Sequence, residues 1–442
     1  MTGRYKAYPE YKSTNEVWLG DVPSHWRALQ INRLTVIKRG ASPRPIDDPK
    51  YFDEEGEYAW VRIADVTASD TFLQNTTQRL SSLGASLSVK LEPNALFLSI
   101  AGTVGKPCIN KIKACIHDGF VYFPEYKENV KFLFYIFAAG EAYKGLGKFG
   151  TQLNLNTETV GGIKIGIPCI EEQNNIVNFL DHETAKIDTL ITKQEKLIEL
   201  LKEKRQAVIS HAVTKGLNPD APMKDSGVEW LGEVPEHWRV SKLKYLVTEP
   251  LLYGANEAAL DTDRSNPRFI RITDVKADGT LKSDTFRSLP LSIAQPYMLN
   301  DGDILLARSG GTVGKSFIYN KTWGKCCFAG YLIKASINKE IVSADWVYLN
   351  TLTTFYWEWI GSSQIQATIQ NVSAEKYNSF SVAIPPKAEV QAITEYLNSK
   401  LAHFDRLIEK ALTAIGLMKE RKTALISAAV TGKIDVRDWE AE

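Results

Sequence analysis

The chain has 442 residues, of which 44% are hydrophobic, enough for two or three domains with buried cores, so a disordered or fibrous protein is excluded. Lys and Arg (53) balance Asp and Glu (52), so any nucleic-acid-binding surface must be local. The five cysteines form neither a disulfide framework nor a paired C-x-x-C metal site. The longest apolar run, residues 132–139, is too short to span a bilayer, so we expect a soluble cytoplasmic protein with no membrane partner.

The first motif in chain order is WLGDVPSHW at residues 18–26, which returns as WLGEVPEHW at residues 230–238. Three further motifs repeat in the same order, 209 or 217 positions apart: VRIADV (61–66) as IRITDV (270–275), GTVGK (102–106) as GTVGK (311–315), and TQLNLN (151–156) as TIQNVS (368–373). Repetition in the same order indicates an internal duplication.

The globular part of each half consists of short Val, Ile, Phe and Tyr runs separated by Gly, Pro, Asn and Asp, which predicts mainly short strands. A helix is predicted before the last strand of each part, at about residues 130–143 and 344–360. Residues 217–226, which contain two prolines and two aspartates, are the predicted linker between the halves.

Each half ends in a long predicted helix, residues 168–216 and 385–433, and the two align without a gap. Both begin with proline and acidic residues and end in a basic segment with glycine. About forty residues at ~1.5 Å each would make a rod of roughly 60 Å. We interpret the two helices as an internal two-stranded coiled coil. Its predicted seam is Ile176, Leu180, Ile187, Leu190, Leu197, Leu201 and Val208 in the first helix, and Ile393, Leu397, Phe404, Leu407, Ala414, Met418 and Leu425 in the second.

Three patterns resemble catalytic or metal sites, and each is incomplete. Residues 309–316 resemble a phosphate-binding P-loop, but Ser309 stands where the pattern needs glycine, so a glycine turn between two strands is preferred. Asp118 with EYK at 125–127 resembles a metal-dependent nuclease, but the pattern is absent 209 positions later, where Cys327 stands in place of the aspartate. His25 and His237 repeat without a second ligand or nucleophile beside them, so we expect them to pack with their neighbouring tryptophans.

The repeated WLGxVPxHW motif, the GTVGK turn, the I-P-x-x-x-E/Q opening of each long helix and its A-V/L-I-S-x-A-V-T ending resemble the specificity (S) subunit of type I restriction–modification systems. The resemblance covers nearly the whole chain. It implies an α+β protein with two repeated, mainly-β target recognition domains, residues 1–166 and 217–383, each reading one half of a bipartite DNA site. It also implies that helical spacer regions 167–216 and 384–436 form an intramolecular antiparallel coiled coil.

The resemblance further implies a chain that is not an enzyme and carries no cofactor. Two methyltransferase (M) subunits with S-adenosylmethionine and two restriction (R) subunits with ATP and Mg²⁺ would dock on it, together with double-stranded DNA. Two alternatives stay open at this point: a coiled-coil adaptor without DNA contact, and a P-loop NTPase or nuclease.

The candidate DNA-binding residues combine suitable chemistry with a predicted loop position, since Arg can read guanine and Asn adenine in the major groove. They are Arg39, Arg44, Arg62 and Lys106 in the first module (residues 1–166), and Tyr253, Asn256, Arg271, Arg308 and Lys315 in the second (217–383). Arg62 and Arg271 stand in strand-like runs, so they could instead brace those strands.

Overall fold

The computed structural model describes residues 5–143, 146, 155–258, 260–276, 279–362 and 371–440. The repeated stretches at 151–156 and 368–373 lie mostly outside the described residues. The chain forms two compact units, Met1–Gln194 with Thr413–Glu442, and Glu195–Leu412.

The first unit contains short strands and short helices before its long helix. Its strands are β1 (Tyr11–Ser13), β2 (Asp21–Pro23), β3 (Arg27–Gln30), β4 (Lys38–Arg39), β5 (Tyr58–Val61), β6 (Phe72–Leu73), β7 (Gln78–Leu80), β8 (Val89–Leu91), β9 (Leu96–Ser99), β10 (Pro107–Asn110), β11 (Ala114–Ile116), β12 (Phe120–Tyr122) and β13 (Lys164–Ile167). Its helices are α1 (Ile63–Ala68), α2 (Ser82–Ser86), α3 (Val130–Ala138), α4 (Thr157–Gly162) and the start of α5 (Ile170–Lys215).

Two sheets form the centre of the first module. One has the strand order β4-β12-β9-β10-β6, and the other has the order β7-β5-β11-β8, with β5 and β11 parallel. Strands β9, β10 and β11 are buried at every position, so their side chains do not alternate between the core and solvent. A separate antiparallel pair joins β3 to β13, and β13 directly precedes α5 in the sequence.

The second unit repeats most of these elements in the same order. Its strands are β14 (Met223–Asp225), β15 (Glu233–Pro235), β16 (Arg239–Lys242), β17 (Leu252–Tyr253), β18 (Arg268–Ile270), β19 (Ile304–Ala307), β20 (Ser316–Ile318), β21 (Cys326–Phe328), β22 (Leu332–Ala335) and β23 (Ser381–Ile384). Its helices are α6 (Leu291–Ala294), α7 (Ala344–Thr351), α8 (Thr354–Ser362), α9 (Ala374–Asn378) and the start of α10 (Lys387–Val430).

The pairing of strands is also repeated. The order β17-β22-β19-β20 matches β4-β12-β9-β10, and the parallel pair β18-β21 matches β5-β11. Likewise the antiparallel pair β16-β23 matches β3-β13. The predicted α+β fold with two repeated β-rich domains and two long helices is therefore confirmed.

Within each unit the segments of α5 and α10 pack antiparallel. In the first unit, the Lys422 ammonium lies 2.7 Å from the Asp188 carboxylate, and Trp439, nine residues beyond α10, packs on Phe179 near the start of α5. In the second unit, Arg205 Nε lies 3.4 Å from Asp405 Oδ1, and the glycine that follows α5, Gly216, lies against the Glu389 carboxylate. In both units a later residue of the first helical region meets an earlier residue of the second.

The predicted seam agrees with burial at most positions and fails at two. Leu190 and Leu197 are 47% and 44% exposed, whereas Ile191 and Ile198, one residue further on, are buried. The heptad assignment is wrong there because each leucine is followed by an isoleucine, so steps of three and four residues fit the apolar pattern equally well. The other seam residues are buried (Ile176, Leu180, Ile187, Ile393, Leu397, Phe404, Leu425) or half-buried (Leu201, Val208, Leu407, Ala414, Met418).

Candidate nucleic-acid interface

One end of the first module's sheets gathers four loops. The Gly40 and Ala41 amides after β4 donate to the Phe120 and Ile116 carbonyls, at 2.9 and 3.1 Å. The Ile100 amide after β9 donates to the Gly119 carbonyl at 2.8 Å. The hydroxyls of Thr67 in α1 and Thr103 in the GTVGK turn lie 2.8 Å apart. We call this surface the first edge, formed by residues 39–44, 62–67, 100–106 and 117–119.

The second module forms an equivalent second edge. The Ala255 amide donates to the Phe328 carbonyl at 2.9 Å, and the Arg308 amide donates to the Tyr331 carbonyl at 3.0 Å. The second edge is formed by residues 253–256, 308–315 and 329–331. By this pairing the counterpart of Asp118 is Gly330, which corrects the counterpart Cys327 inferred from the sequence offset. Loop insertions between the repeats changed the offset locally.

A glycine is required at the same place in both edges. A Cβ on Gly40 would lie 2.2 Å from the His117 carbonyl oxygen, and one on Gly254 would lie 2.3 Å from that of Ala329. Only glycine permits so close an approach of two backbones. The shared Gly-Ala pair therefore fixes the loop, while the residues on either side of it differ between the modules.

In the first edge, donors converge on Asp118. The Ser42 hydroxyl donates to Asp118 Oδ1 at 3.1 Å, the Arg44 guanidinium to Oδ2 at 3.2 Å, and Arg39 Nε to the Asp118 carbonyl at 2.5 Å. Partial burial opposes ionisation of this carboxyl, but the Ser42 hydroxyl and the charges of His117, Arg39 and Arg44 outweigh it and lower the pKa of Asp118. Asp118 thus belongs to the candidate interface, which its sequence neighbours did not reveal.

The charged groups of Arg62 and Lys106 make hydrogen bonds to other residues of the first module. The Lys106 ammonium donates to the Thr67 carbonyl at 2.8 Å, and Arg62 bonds to the Thr77 hydroxyl. Arg62 Nε also lies 3.5 Å from Asp65, whose carboxylate accepts the Arg62 amide at the start of α1. The Lys106 bond connects two loops of the first edge, and the Arg62 bond connects one of them to the neighbouring segment at Thr77.

Arg271 is similarly occupied, because its Nε and Nη2 donate to the buried Asp274 at 3.0 and 2.8 Å. The bracing role considered for Arg62 and Arg271 matches these contacts. Lys315, in contrast, is exposed, and strand β20 follows it where a P-loop would require a helix. The glycine segment 310–314 is therefore a turn between two strands, as preferred above.

The second edge presents an aromatic and amide surface. Asn256 is exposed, and the Arg308 guanidinium lies over the Tyr253 ring at 4.7 Å from its centroid. Tyr331 is 67% exposed beside them, and sequence reasoning missed it. The available signal was an aromatic residue directly after a glycine and before an apolar strand.

The repeated His-Trp pairs hold the modules to the long helices. In the first unit, Trp26 Nε1 donates to Glu172 Oε1 at 2.9 Å, and His25 Nε2 lies 2.9 Å from Oε2. In the second unit, Trp238 and His237 contact Glu389 in the same way, at 3.1 and 2.8 Å. The tryptophans are buried as expected, but the histidines are half-exposed and bond to a carboxylate in the first turn of a helix.

Among the described residues, no cluster of three or more His, Cys, Asp or Glu side chains could hold a metal ion. In the same described residues, no helix combines the length and the apolar character that a membrane span needs.

The fold is duplicated, each module is attached to antiparallel helices, and the two modules present different side chains at their edges. A protein built in this way is a scaffold with two recognition modules. The family model described as "Type I restriction modification DNA specificity domain" matches residues 23–200 and 270–415, more than half of the chain. The chain therefore belongs to the family of type I restriction–modification specificity subunits, whose members carry DNA recognition domains and leave catalysis to other subunits.

The chain aligns with members of this family over most of their length. The chain is 22% identical to the type I restriction enzyme MjaVIII specificity subunit of Methanocaldococcus jannaschii, over 94% of this chain and 95% of that protein. It is 23% identical to the EcoKI specificity subunit of Escherichia coli K12, over 65% of this chain and 61% of that protein. A chain from a structure of assembly and conformational transition in a type I R-M system shares the fold with a TM-score of 0.69 and 14% identity, covering 92% of this chain and 98% of that chain.

Proposed function

We propose that this chain reads a bipartite, asymmetric site in double-stranded DNA. The first module, residues 1–166, reads one half-site, and the second, residues 217–383, reads the other, with 167–216 and 384–436 as the helical spacer regions. The observation that supports this proposal most directly is the pair of edges. Their backbone contacts are the same, while the side chains that they present differ, as two readers of different sequences require.

The chemistry of the edges suits base recognition. Arg39 and Arg44 on the first edge, and Arg308 on the second, can donate two hydrogen bonds to guanine, and the exposed Asn256 can pair with adenine. The exposed Lys315 suits a phosphate contact, which positions the protein without selecting sequence. Arg62, Lys106 and Arg271, whose charged groups bond to the protein, would act by holding the loops that face DNA.

The same proposal includes partners for the long helices. Two M subunits with S-adenosylmethionine would dock on the chain, and two R subunits would supply ATP- and Mg²⁺-dependent reactions in the cytoplasm. Exposed leucines on α5, among them Leu190 and Leu197, would be covered by such a partner. The near-neutral net charge of +1 suits a chain that shares DNA contacts with basic partners.

The test is methylome sequencing of a host that expresses this chain with its M subunit. We expect methylation within a motif of two specific half-sites separated by a non-specific spacer. Exchange of residues 1–166 for the matching segment of a relative should change one half-site and leave the other. If the M subunit methylated the same sites without this chain, a coiled-coil adaptor without DNA contact would explain the protein better.

A further inference from the structure

Tyr253 and Arg308 form a cation–π pair on the second edge. Tyr253 ends β17 and Arg308 follows β19, and the guanidinium carbon lies 4.7 Å from the centroid of the tyrosine ring. The Tyr253 hydroxyl accepts a hydrogen bond from the Ala374 amide at 2.9 Å, which fixes the ring. The Arg308 backbone is fixed at both ends, because its amide donates to Tyr331 and its carbonyl accepts from Val372 at 2.7 Å.

The guanidinium of Arg308 differs from others in the module. Those of Arg271 and Arg268 donate to Asp274 and to the Lys282 carbonyl. Arg308 Nε is buried and has no hydrogen-bond partner in the described part of the chain. A guanidinium is planar, and a ring beneath it limits its orientations, so its donors can meet the acceptor edge of a planar group.

The first module supplies an arginine at the matching end of its sheet from a different strand. At the position of Tyr253 it has Arg39, held by the Asp118 carbonyl, and at the position of Arg308 it has Ile100, whose amide donates to the Gly119 carbonyl. Each edge thus has an arginine held by a second residue, and the strands that carry the two arginines differ. The arginine therefore lies at the end of a different strand in each module, while the fold of the sheet is the same.

Resting on the proposed function, we propose that Arg308 reads one guanine of the second half-site and that Tyr253 is its positioning residue. The two acceptors of guanine in the major groove, N7 and O6, match the paired donors of a guanidinium. The ring keeps the arginine oriented before DNA arrives, so less side-chain freedom is lost on binding. Tyr253 therefore acts on sequence selectivity through Arg308, without touching a base.

The experiment uses the full chain with its M subunit and sequences the methylome of the host. Arg308→Gln should relax one guanine position in one half-site, with discrimination falling roughly tenfold to a hundredfold. Tyr253→Leu should relax that same position by roughly threefold to thirtyfold, because the stacking is lost. Tyr253→Phe keeps the ring but loses the bond from the Ala374 amide, so it should relax that position by less than Tyr253→Leu. Tyr245→Leu is the control, because Tyr245 is an exposed tyrosine of the same module near the opposite end of β22.

Each outcome decides between the assignments. Relaxation of different positions by Arg308→Gln and Tyr253→Leu would overturn the pairing of these residues, as would an unchanged motif in both variants. Loss of all methylation in Tyr253→Leu would assign the tyrosine a structural role and would also overturn it. A wild-type chain that directs no bipartite motif contradicts the proposed function itself, whereas unchanged variants of an active chain contradict only this inference.

Discussion

The two units share the contact by which each module meets the long helices, whereas the loops of the edges outside the GTVGK turn carry different side chains. At the helices, Trp26 with Glu172 and Trp238 with Glu389 form the same contact. At the edges, Asp118 of the first module corresponds to Gly330 of the second, and the side chains around the shared Gly-Ala pair are unrelated. Duplication has thus kept the attachment of each module and left the exposed ends of its sheet free to vary.

The attachment itself differs in one respect. Glu172 is 4% exposed and accepts from three donors, because the Tyr8 hydroxyl also donates to it at 2.7 Å. The Glu389 side chain is 29% exposed and has two such contacts. Burial and, to a smaller extent, the hydrogen bond to Glu172 raise the pKa of Tyr8 far above its ordinary value, so the phenol remains a donor. The N-terminal segment therefore adds to the first attachment a contact that the linker does not provide in the second.

The largest effect is expected from the tryptophans. Trp26→Ala and Trp238→Ala should each destabilise the chain by about 3–5 kcal/mol, because each removes a fully buried indole and leaves a cavity. Urea unfolding followed by far-ultraviolet circular dichroism measures the change. Leu87→Ala, at an exposed residue of the first module, is the control. A loss below about 1 kcal/mol at either tryptophan would show that the two attachments are not equivalent.

The carboxylates should separate the two attachments. Glu172→Ala should cost about 3–5 kcal/mol, because it leaves the buried Trp26 and Tyr8 donors unpaired. Glu389→Ala should cost about 1–2 kcal/mol, since its partners can reach solvent more easily. Tyr8→Phe should lower stability by the same amount in the Glu389→Ala background as in the wild type. Of the two attachments, Tyr8 contacts the one at Glu172 and not the one at Glu389. Equal losses at Glu172 and Glu389 would contradict the role given to Tyr8.

The duplication was readable from sequence because repeated motifs preserve their order, and the structure shows that the strand pairing is repeated as well. The contacts within a repeat were not readable. Glu172 and Glu389 occupy the same position in both helices, but only the fold brings them to Trp26 and Trp238. Asp118 and Tyr331 were missed for the same reason, since loops that are distant in sequence meet at the edge. Local pattern predicts elements, while the site depends on tertiary contact.

The coiled coil shows a second limit of sequence pattern, and it can be tested. Ile191→Ala should destabilise the chain by about 2–4 kcal/mol, because Ile191 is buried in the helical region of the first unit. Leu190→Ala, at the adjacent exposed residue, should change stability by less than about 0.5 kcal/mol. The same method as for the tryptophans applies. A larger loss of stability in Leu190→Ala than in Ile191→Ala would support the heptad assignment made from sequence. Loss of M-subunit binding in Leu190→Ala alone would support a partner on that face.

The smallest effect on stability, and a selective one on function, is expected from Asp118→Asn. The side chain of Arg44 is 79% exposed and that of Asp118 is 42% exposed, so the loss of charge should change stability by less than about 0.5 kcal/mol. The lowered pKa keeps the carboxyl ionised in the wild type at neutral pH, so the substitution removes a real charge. Asparagine can still accept from Ser42, but it no longer attracts Arg44, whose guanidinium gains freedom.

Methylome sequencing of the Asp118→Asn variant should then show relaxed selectivity in one half-site, the one that changes when residues 1–166 are exchanged, while the other stays intact. Ser42→Ala is the matched control, since it removes a bond to Asp118 without removing charge. If Asp118→Asn altered both half-sites, the two edges would not read independently, and the contrast between a kept attachment and divergent edges would lose its functional meaning.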